Sequence, residues 1–305
     1  MHTGQLNIGR QTLSFETGKL AKQADGAVVV RSGDTVVLVT ACAAPTPRQG
    51  IDFLPLTVDY RENTYASGRI PGGFFKREGK PPEKEVLTSR LIDRPIRPLF
   101  PSGWGYETQV VAWVISADDD NDPDVLALTG ASAALSISNI PFQKTVAAVR
   151  VGLVDDKFII NPTYDERRLS RLDLLVAGSA DALVMVEAGS DELSEDEMLR
   201  ALKEGHAAIC DIVGTIDEMK AAVGKPKREV TTRTIDPDVA SEVEAKVLEP
   251  LTDAMRIKDK LENYAKVDQV LDELLASYSE DDGDGRSNAK QVFKSLKEKV
   301  LRDEI

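Results

Sequence analysis

Short runs of branched apolar residues, separated by turn residues, fill the first sixty positions and predict strands at 11–16, 27–31, 35–41 and 54–60. Ser32-Gly33-Asp34 lies between two of them, where Gly tolerates positive φ and Asp can bond nearby backbone, so Val28-Val29-Val30 and Val36-Val37-Leu38-Val39 are expected to form a hairpin. The period then changes. Residues 83–96 are predicted helical, with Val86, Leu87, Leu91 and Ile92 facing the core. A strand is expected at 110–116. Asp122-Pro123 then opens a small-residue helix through Ser136, Asp as N-cap and Pro at its first position. Strands come next at 146–154, 158–161, 171–177 and 183–187. A long helix after them starts at a capping box, Ser194 with Glu197, and carries the apolar stripe Met198, Leu202, Ile209, Val213 and Ile216.

This succession describes an α+β core. A polar, Pro-containing stretch at 225–236 ends it, and the remainder of the chain is helical, with acidic and basic residues interspersed on exposed faces. The boundaries expected are a core over 1–228, a linker over 229–237 and an all-helical domain over 238–305. Asp281-Asp282-Gly283-Asp284-Gly285 interrupts the helical part. It cannot be an EF-hand loop, because Val292 stands where the twelfth-position Glu belongs, so a solvated loop is expected. The final helical run, 290–305, lacks a Gly or Asn cap, the pattern of a chain that continues into a larger design.

A formal charge of −13 over 305 residues repels a polyanion, so any contact with nucleic acid has to be local. Cys42 and Cys210 lie far apart in apolar segments and are expected to be buried, reduced thiols of a cytoplasmic protein. The chain opens without a basic, apolar leader, and no apolar stretch approaches the roughly eighteen residues of a membrane span. There is no Walker A loop, GxGxxG turn or zinc spacing. His2 and His206 have no Ser or Cys pattern around them, and His206 fits a packing or surface role.

The loop Pro71-Gly72-Gly73-Phe74-Phe75-Lys76-Arg77-Glu78-Gly79-Lys80 sets two aromatics beside cations, outside any core periodicity. Rings for base stacking and cations for phosphates suit a single strand; equally, the rings could tuck inward and leave ordinary surface charges. Arg90, Arg94 and Arg97 share a helix face, where they could contact a phosphate backbone or pair with Glu83, Glu85 or Asp93. Asp118-Asp119-Asp120-Asn121-Asp122 lacks the residues that would complete a metal site and is read as a helix entry.

The chain closely resembles polynucleotide phosphorylases. The resemblance is carried by Glu16-Thr17-Gly18, Gln23 to Ala27, Phe53 to Val58, Gly68 to Gly79, Ser89 to Phe100 and Leu193-Ser194-Glu195-Asp196. It implies a ribonuclease-PH-like core of the ribosomal protein S5 domain 2-like fold, with the small all-α domain after it. It also implies a homotrimeric ring that threads the 3′ end of single-stranded RNA, with RNA-degradosome proteins as further partners, and neither membrane nor DNA as one. The family's phosphorolytic second core, which uses inorganic phosphate and Mg or Mn, is expected beyond Ile305, and no cofactor is expected on this chain.

The resemblance makes Phe74, Phe75, Lys76 and Arg77 the RNA-gripping loop; Lys76 replaces a commoner arginine and cannot make its bidentate fork. Arg90, Arg94 and Arg97 become secondary RNA contacts. The family's active core has a serine-rich phosphate loop where this chain has Asp122, Pro123 and Asp124, and carboxylates repel phosphate. Of that core's two aspartates and lysine, alignment on Val176-Ala177-Gly178 leaves Asp173, with Arg167 and Leu175 at the other positions. No catalytic residue and no metal ligand is therefore assigned. The reading is a non-catalytic, RNA-guiding part of a polyribonucleotide nucleotidyltransferase that degrades RNA 3′ to 5′ by phosphorolysis, releasing nucleoside diphosphates. The alternative is a stand-alone RNA-binding or scaffold module; a self-sufficient ribonuclease-PH-like hexamer is disfavoured by Arg167 and Leu175.

Overall fold

The computed structural model describes residues 1–48, 51, 53–74, 76–230, 237–279 and 282–304, in two compact units, Met1–Thr232 and Arg233–Ile305. Residues 231–236 of the expected linker lie outside the described residues.

The first unit holds strands β1 (His2–Ile8), β2 (Gln11–Thr17), β3 (Gly26–Ser32), β4 (Thr35–Ala43), β5 (Leu56–Arg61) and β6 (Thr108–Ser116), in the order β1-β2-β3-β4-β6-β5. All neighbours are antiparallel except β5 and β6. A second, antiparallel sheet has the order β10-β9-β7-β8, from β7 (Ala147–Val154), β8 (Lys157–Ile160), β9 (Leu172–Gly178) and β10 (Leu183–Ser190). Helix α1 (Glu83–Ile96) packs on β5, and α2 (Pro123–Ile137) packs against β3, β4 and β7. The short α3 (Tyr164–Leu169) precedes β9, and α4 (Glu195–Val223) covers β1 and β7.

Every residue of α2 is buried, including Thr129, Ser132 and Ser136. The helix lies so close to the large sheet that a Cβ at Gly130 would sit 2.6 Å from Cγ2 of Val39, and one at Gly26 would sit 2.0 Å from the Ala134 carbonyl oxygen. Its polar side chains bond inward: the Ser132 hydroxyl accepts from Val146 N–H at 2.8 Å and that of Thr129 from Ala148 N–H at 3.1 Å. At its carboxyl end the Lys227 ammonium donates to the carbonyl oxygens of Leu135, Ser136 and Ser138, at 2.8 to 2.9 Å, where a helix leaves its last carbonyls unpaired.

The second unit is three helices, α5 (Pro237–Met255), α6 (Lys260–Ala276) and α7 (Gly283–Asp303), around a core that includes Val243, Leu251, Leu274 and Phe293.

Several expectations change. Val86 and Leu87 are exposed; Glu85 and Thr88 take the buried positions beside Leu91 and Ile92, because Glu85 accepts the Glu62 N–H at 2.8 Å and pairs with Arg61 at 3.2 Å. Asp282 is an N-cap, not a loop residue, since its carboxylate receives Gly285 N–H at 2.9 Å and α7 begins there. Cys42 is exposed and Cys210 half-buried, so neither is the core thiol that its apolar surroundings suggested. Among the described residues no helix is long and apolar enough to cross a membrane.

Candidate RNA interface and the core pocket

Residues 62–82 connect β5 to α1 and carry the aromatic-basic loop. Its base is pinned from both sides. Lys84 of α1 reaches Glu62 at 3.0 Å and Asp122 at 3.8 Å; burial opposes its charge, but the two carboxylates outweigh it and raise its pKa. The Tyr60 hydroxyl donates to Glu62 at 2.9 Å, and burial, reinforced by that carboxylate, drives the phenol far above its ordinary range. Ala117 N–H donates to the Ala66 carbonyl at 3.0 Å, tying the loop to the end of β6.

Within the loop, the Glu78 carboxylate accepts both the Thr64 N–H, at 2.9 Å, and the Thr64 hydroxyl, at 2.7 Å. This clasp closes the chain between positions 64 and 78, and the tip beyond it turns through Gly68, Gly73 and Lys76, all at positive φ. Phe74 is 94% exposed, and Lys76 and Arg77 are exposed beside it; Phe75 lies outside the described residues. An aromatic ring so open is not packing the core, which removes the inward-tucked alternative for Phe74.

Glu78→Ala should release the clasp while leaving the fold intact. Two lost hydrogen bonds to an exposed carboxylate, worth about 1 kcal/mol, raise loop opening roughly fivefold. Trypsin cleavage after Lys76 or Arg77 should therefore accelerate by about that factor, with the thermal midpoint unmoved and Glu78→Gln, whose amide oxygen still accepts, close to the parent.

The three arginines of α1 do not act as one cluster. Arg97 is committed to structure: its guanidinium forks onto Asp93, both contacts 2.6 Å, and donates to the carbonyls of Leu54 at 3.2 Å and Leu56 at 3.0 Å, fixing the approach to β5. Arg94 pairs with Glu187 of β10. Arg90 is exposed and has no ion-pair partner among the described residues.

Beside α1 a cavity of about 330 Å³ is lined by Leu91, Asp124, Arg150, Asp173, Leu175 and Glu187, of which Asp124 lies at the amino end of α2. Arg150, on β7, is largely buried; it meets Asp124 at 2.5 Å and also binds Asp173. Arg167, on α3, meets Asp173 at 3.0 Å and Asp122 at 2.8 Å. Carboxylates and guanidinium groups thus alternate in one run, Asp124, Arg150, Asp173, Arg167 and Asp122. Burial and the neighbouring Asp122 push the Asp124 carboxyl upward while Arg150 pulls against them. For Asp173 burial is outweighed by Arg150 and then Arg167, which hold its carboxyl below the usual range.

A helix amino end is a ready anion site. Here the chain supplies its own anions: Asp122 accepts Asp124 N–H at 3.4 Å and Asp124 accepts Val125 N–H at 2.6 Å. A free phosphate would meet two carboxylates there. A divalent cation fits no better, because Asp124 and Asp173 are already bound by guanidinium groups, and among the described residues no group of three His, Cys, Asp or Glu could hold a metal.

Arg150 is absent from the sequence-based expectations. Its signal was a lone cation inside the apolar strand Ala147-Ala148-Val149-Arg150-Val151. Asp118, expected at a helix entry, instead receives the N–H groups of Asp34 and Thr35, at 3.0 and 3.1 Å, and those of Asp120 and Asn121, locking the β3–β4 turn. His206 is half-buried, its Nε2 3.0 Å from the Ser179 carbonyl oxygen, which fits its expected packing role.

Comparison with known proteins places the fold and the family. Residues 10–141 match domain 1 and residues 144–208 domain 2 of the 3′ exoribonuclease family, and residues 238–305 match the polyribonucleotide nucleotidyltransferase RNA binding domain. The polyribonucleotide nucleotidyltransferase of Koribacter versatilis is 50% identical over 299 residues, which cover 97% of this chain and 37% of that protein. That of Solibacter usitatus is 49% identical over 306 residues, covering 100% and 43%, and that of Alkaliphilus oremlandii 48% over 297, covering 97% and 42%. The chain spans about two fifths of the length of these relatives. Among solved structures, rice Rrp46 superposes with a TM-score of 0.55 at 18% identity, over 68% of this chain and 94% of that one, and so shares the fold. The chain belongs to the polyribonucleotide nucleotidyltransferase family, of which it spans the amino-terminal ribonuclease-PH-like core and the helical domain.

Proposed function

We propose that this chain is the RNA-guiding, non-catalytic part of an exoribonuclease that shortens RNA from its 3′ end with phosphate, releasing nucleoside diphosphates. One contrast carries the reading: the loop exposes Phe74, Lys76 and Arg77 to a strand, while the pocket behind it pairs its charges internally. Attack of phosphate on an RNA linkage needs cations or amide donors for the attacking phosphate and carboxylates for a divalent metal. Arg150 and Arg167 engage Asp124, Asp173 and Asp122 in ion pairs, which supports a pocket that serves neither requirement. In this reading the bases stack on the exposed Phe74 ring, with Phe75 as the second stacking residue of the loop, Lys76 and Arg77 take phosphates, and Arg90 is a secondary contact.

Within the whole enzyme the same reading places the chain in a cytoplasmic homotrimer, open to degradosome partners, with phosphate and Mg or Mn used by a second core. The purified 305-residue chain, given poly(A), inorganic phosphate and Mg, should bind RNA and release no nucleoside diphosphate. Diphosphate release that Asp173→Ala abolishes would overturn the silence assigned to the pocket.

A further inference from the structure

Within the second unit, the described cations concentrate on α7. Over its whole length this helix carries six cations, Arg286, Lys290, Lys294, Lys297, Lys299 and Arg302, against three carboxylates, Asp284, Glu298 and Asp303, of which Glu298 alone lies between the first and last cation. By contrast, α5 has five carboxylates to one lysine, and α6 four to two. The interspersed charges expected along the helical unit therefore give way to a segregated distribution.

The basic residues divide by role. Lys299 pairs with Glu244 at 3.5 Å, and Arg286 is half-buried and donates to the Leu275 carbonyl at 3.2 Å. Lys290, Lys294 and Lys297 are exposed and have no ion-pair partner among the described residues. At about 100° per residue they fall within roughly a 60° arc. The buried side of α7 is formed by Ala289, Val292, Phe293, Leu296 and Val300, so packing fixes which way the three lysines point. Three uncompensated cations on one rigid face stand out in a chain of formal charge −13. They repel one another, and that repulsion is relieved when a polyanion neutralises them.

We propose that the Lys290–Lys294–Lys297 face of α7 is a phosphate-backbone contact for single-stranded RNA, separate from the stacking loop. The assignment rests on the reading of RNA as ligand and adds the residues by which the helical unit would hold it. Lysines without neighbouring aromatics act as point charges, so the contact is sequence-independent and its strength is electrostatic.

The test measures binding of a labelled oligoadenylate to the full chain across a salt series. Changing the three lysines together to Gln should weaken binding on the order of tenfold near 0.1 M salt. It should also flatten the log–log salt slope by about 2, the sum of roughly 0.7 for each lost contact. Arg at all three positions should restore both. Changing Lys246, Lys258 and Lys266 to Gln removes the same charge elsewhere and should move affinity by less than about threefold; an equal effect there would reduce the result to net charge and overturn the proposal. Unchanged affinity and slope in the α7 variant, with loss in a Lys76→Gln/Arg77→Gln variant, would overturn the α7 contact and leave the loop reading standing. No binding by the parent chain would overturn both. Polyglutamate bound as tightly as RNA, with the same dependence on the three lysines, would assign the face to an acidic protein instead.

Discussion

Arg150→Met lowers the stability of the amino-terminal unit by about 3 to 5 kcal/mol, the usual consequence of leaving one partner of a buried ion pair behind. Asp124 is the residue left behind. It is buried at the start of α2, and Arg150 is its cationic partner at 2.5 Å. Without the guanidinium, desolvation and Asp122 are opposed by the Val125 N–H bond and no longer by Arg150, and the folded-state pKa of Asp124 moves further above its unfolded value of about 3.9. An acid whose folded pKa is raised carries no penalty below its unfolded pKa, and the penalty grows as pH rises toward the folded value. The deficit of the variant should therefore be smaller at pH 5 than at pH 8, as read by urea unfolding at both. Adding Asp124→Asn should recover much of the loss, since the amide oxygen can still receive Val125 N–H; a double variant as unstable as Arg150→Met would contradict the pairing argument. One carboxylate of the same run responds to acid in the opposite sense. Asp173, held low by Arg150 and Arg167, contributes stability at neutral pH that fades as pH falls through its lowered pKa.

Phe74→Ala weakens binding of single-stranded RNA by roughly 5- to 150-fold, the equivalent of about 1 to 3 kcal/mol for one stacked base. The ring carries no charge, so the salt slope should stay where it was. Lys76→Gln with Arg77→Gln should do the converse, lowering the slope by about 1.4 through two lost phosphate contacts. This crossed pattern separates stacking from charge, and fluorescence anisotropy with an oligoadenylate across salt concentrations reads both. RNA binding that survives Phe74→Ala together with Phe75→Ala would show that the strand is held elsewhere.

Much of this architecture could be read from the residues, and the misses share physical causes. Short runs rich in Val and Leu announced β3, β4 and β7, and the Ser194–Glu197 capping box announced α4, which forms it in full. Strand β1 went unseen because His2-Thr3-Gly4-Gln5-Leu6-Asn7-Ile8 offers few branched residues; its partner β2, not its propensity, makes it a strand. Helix α3 is six residues long, too short for periodicity, and stands on a Thr163–Glu166 capping box. On α1 the burial of Glu85 rather than Val86 comes from tertiary hydrogen bonds that no spacing rule encodes. At the pocket, Arg167 and Leu175 were legible as departures from the family pattern. That the remaining Asp173 is bound by two arginines was not, because Arg150 comes from another strand and Arg167 from a helix, and only the fold brings them together.

The interior position of α2 bears on how the first unit is divided. Sequence comparison cuts it in two, with one part ending at residue 141 and the next beginning at 144. Yet this helix, which belongs to the earlier part, has no face left for water and is shared by β3, β4 and β7. Severed between those limits, either portion would expose a broad oily surface with nothing to shield it. The two modules of the family's description are inherited as separate words but behave as a single syllable of folding.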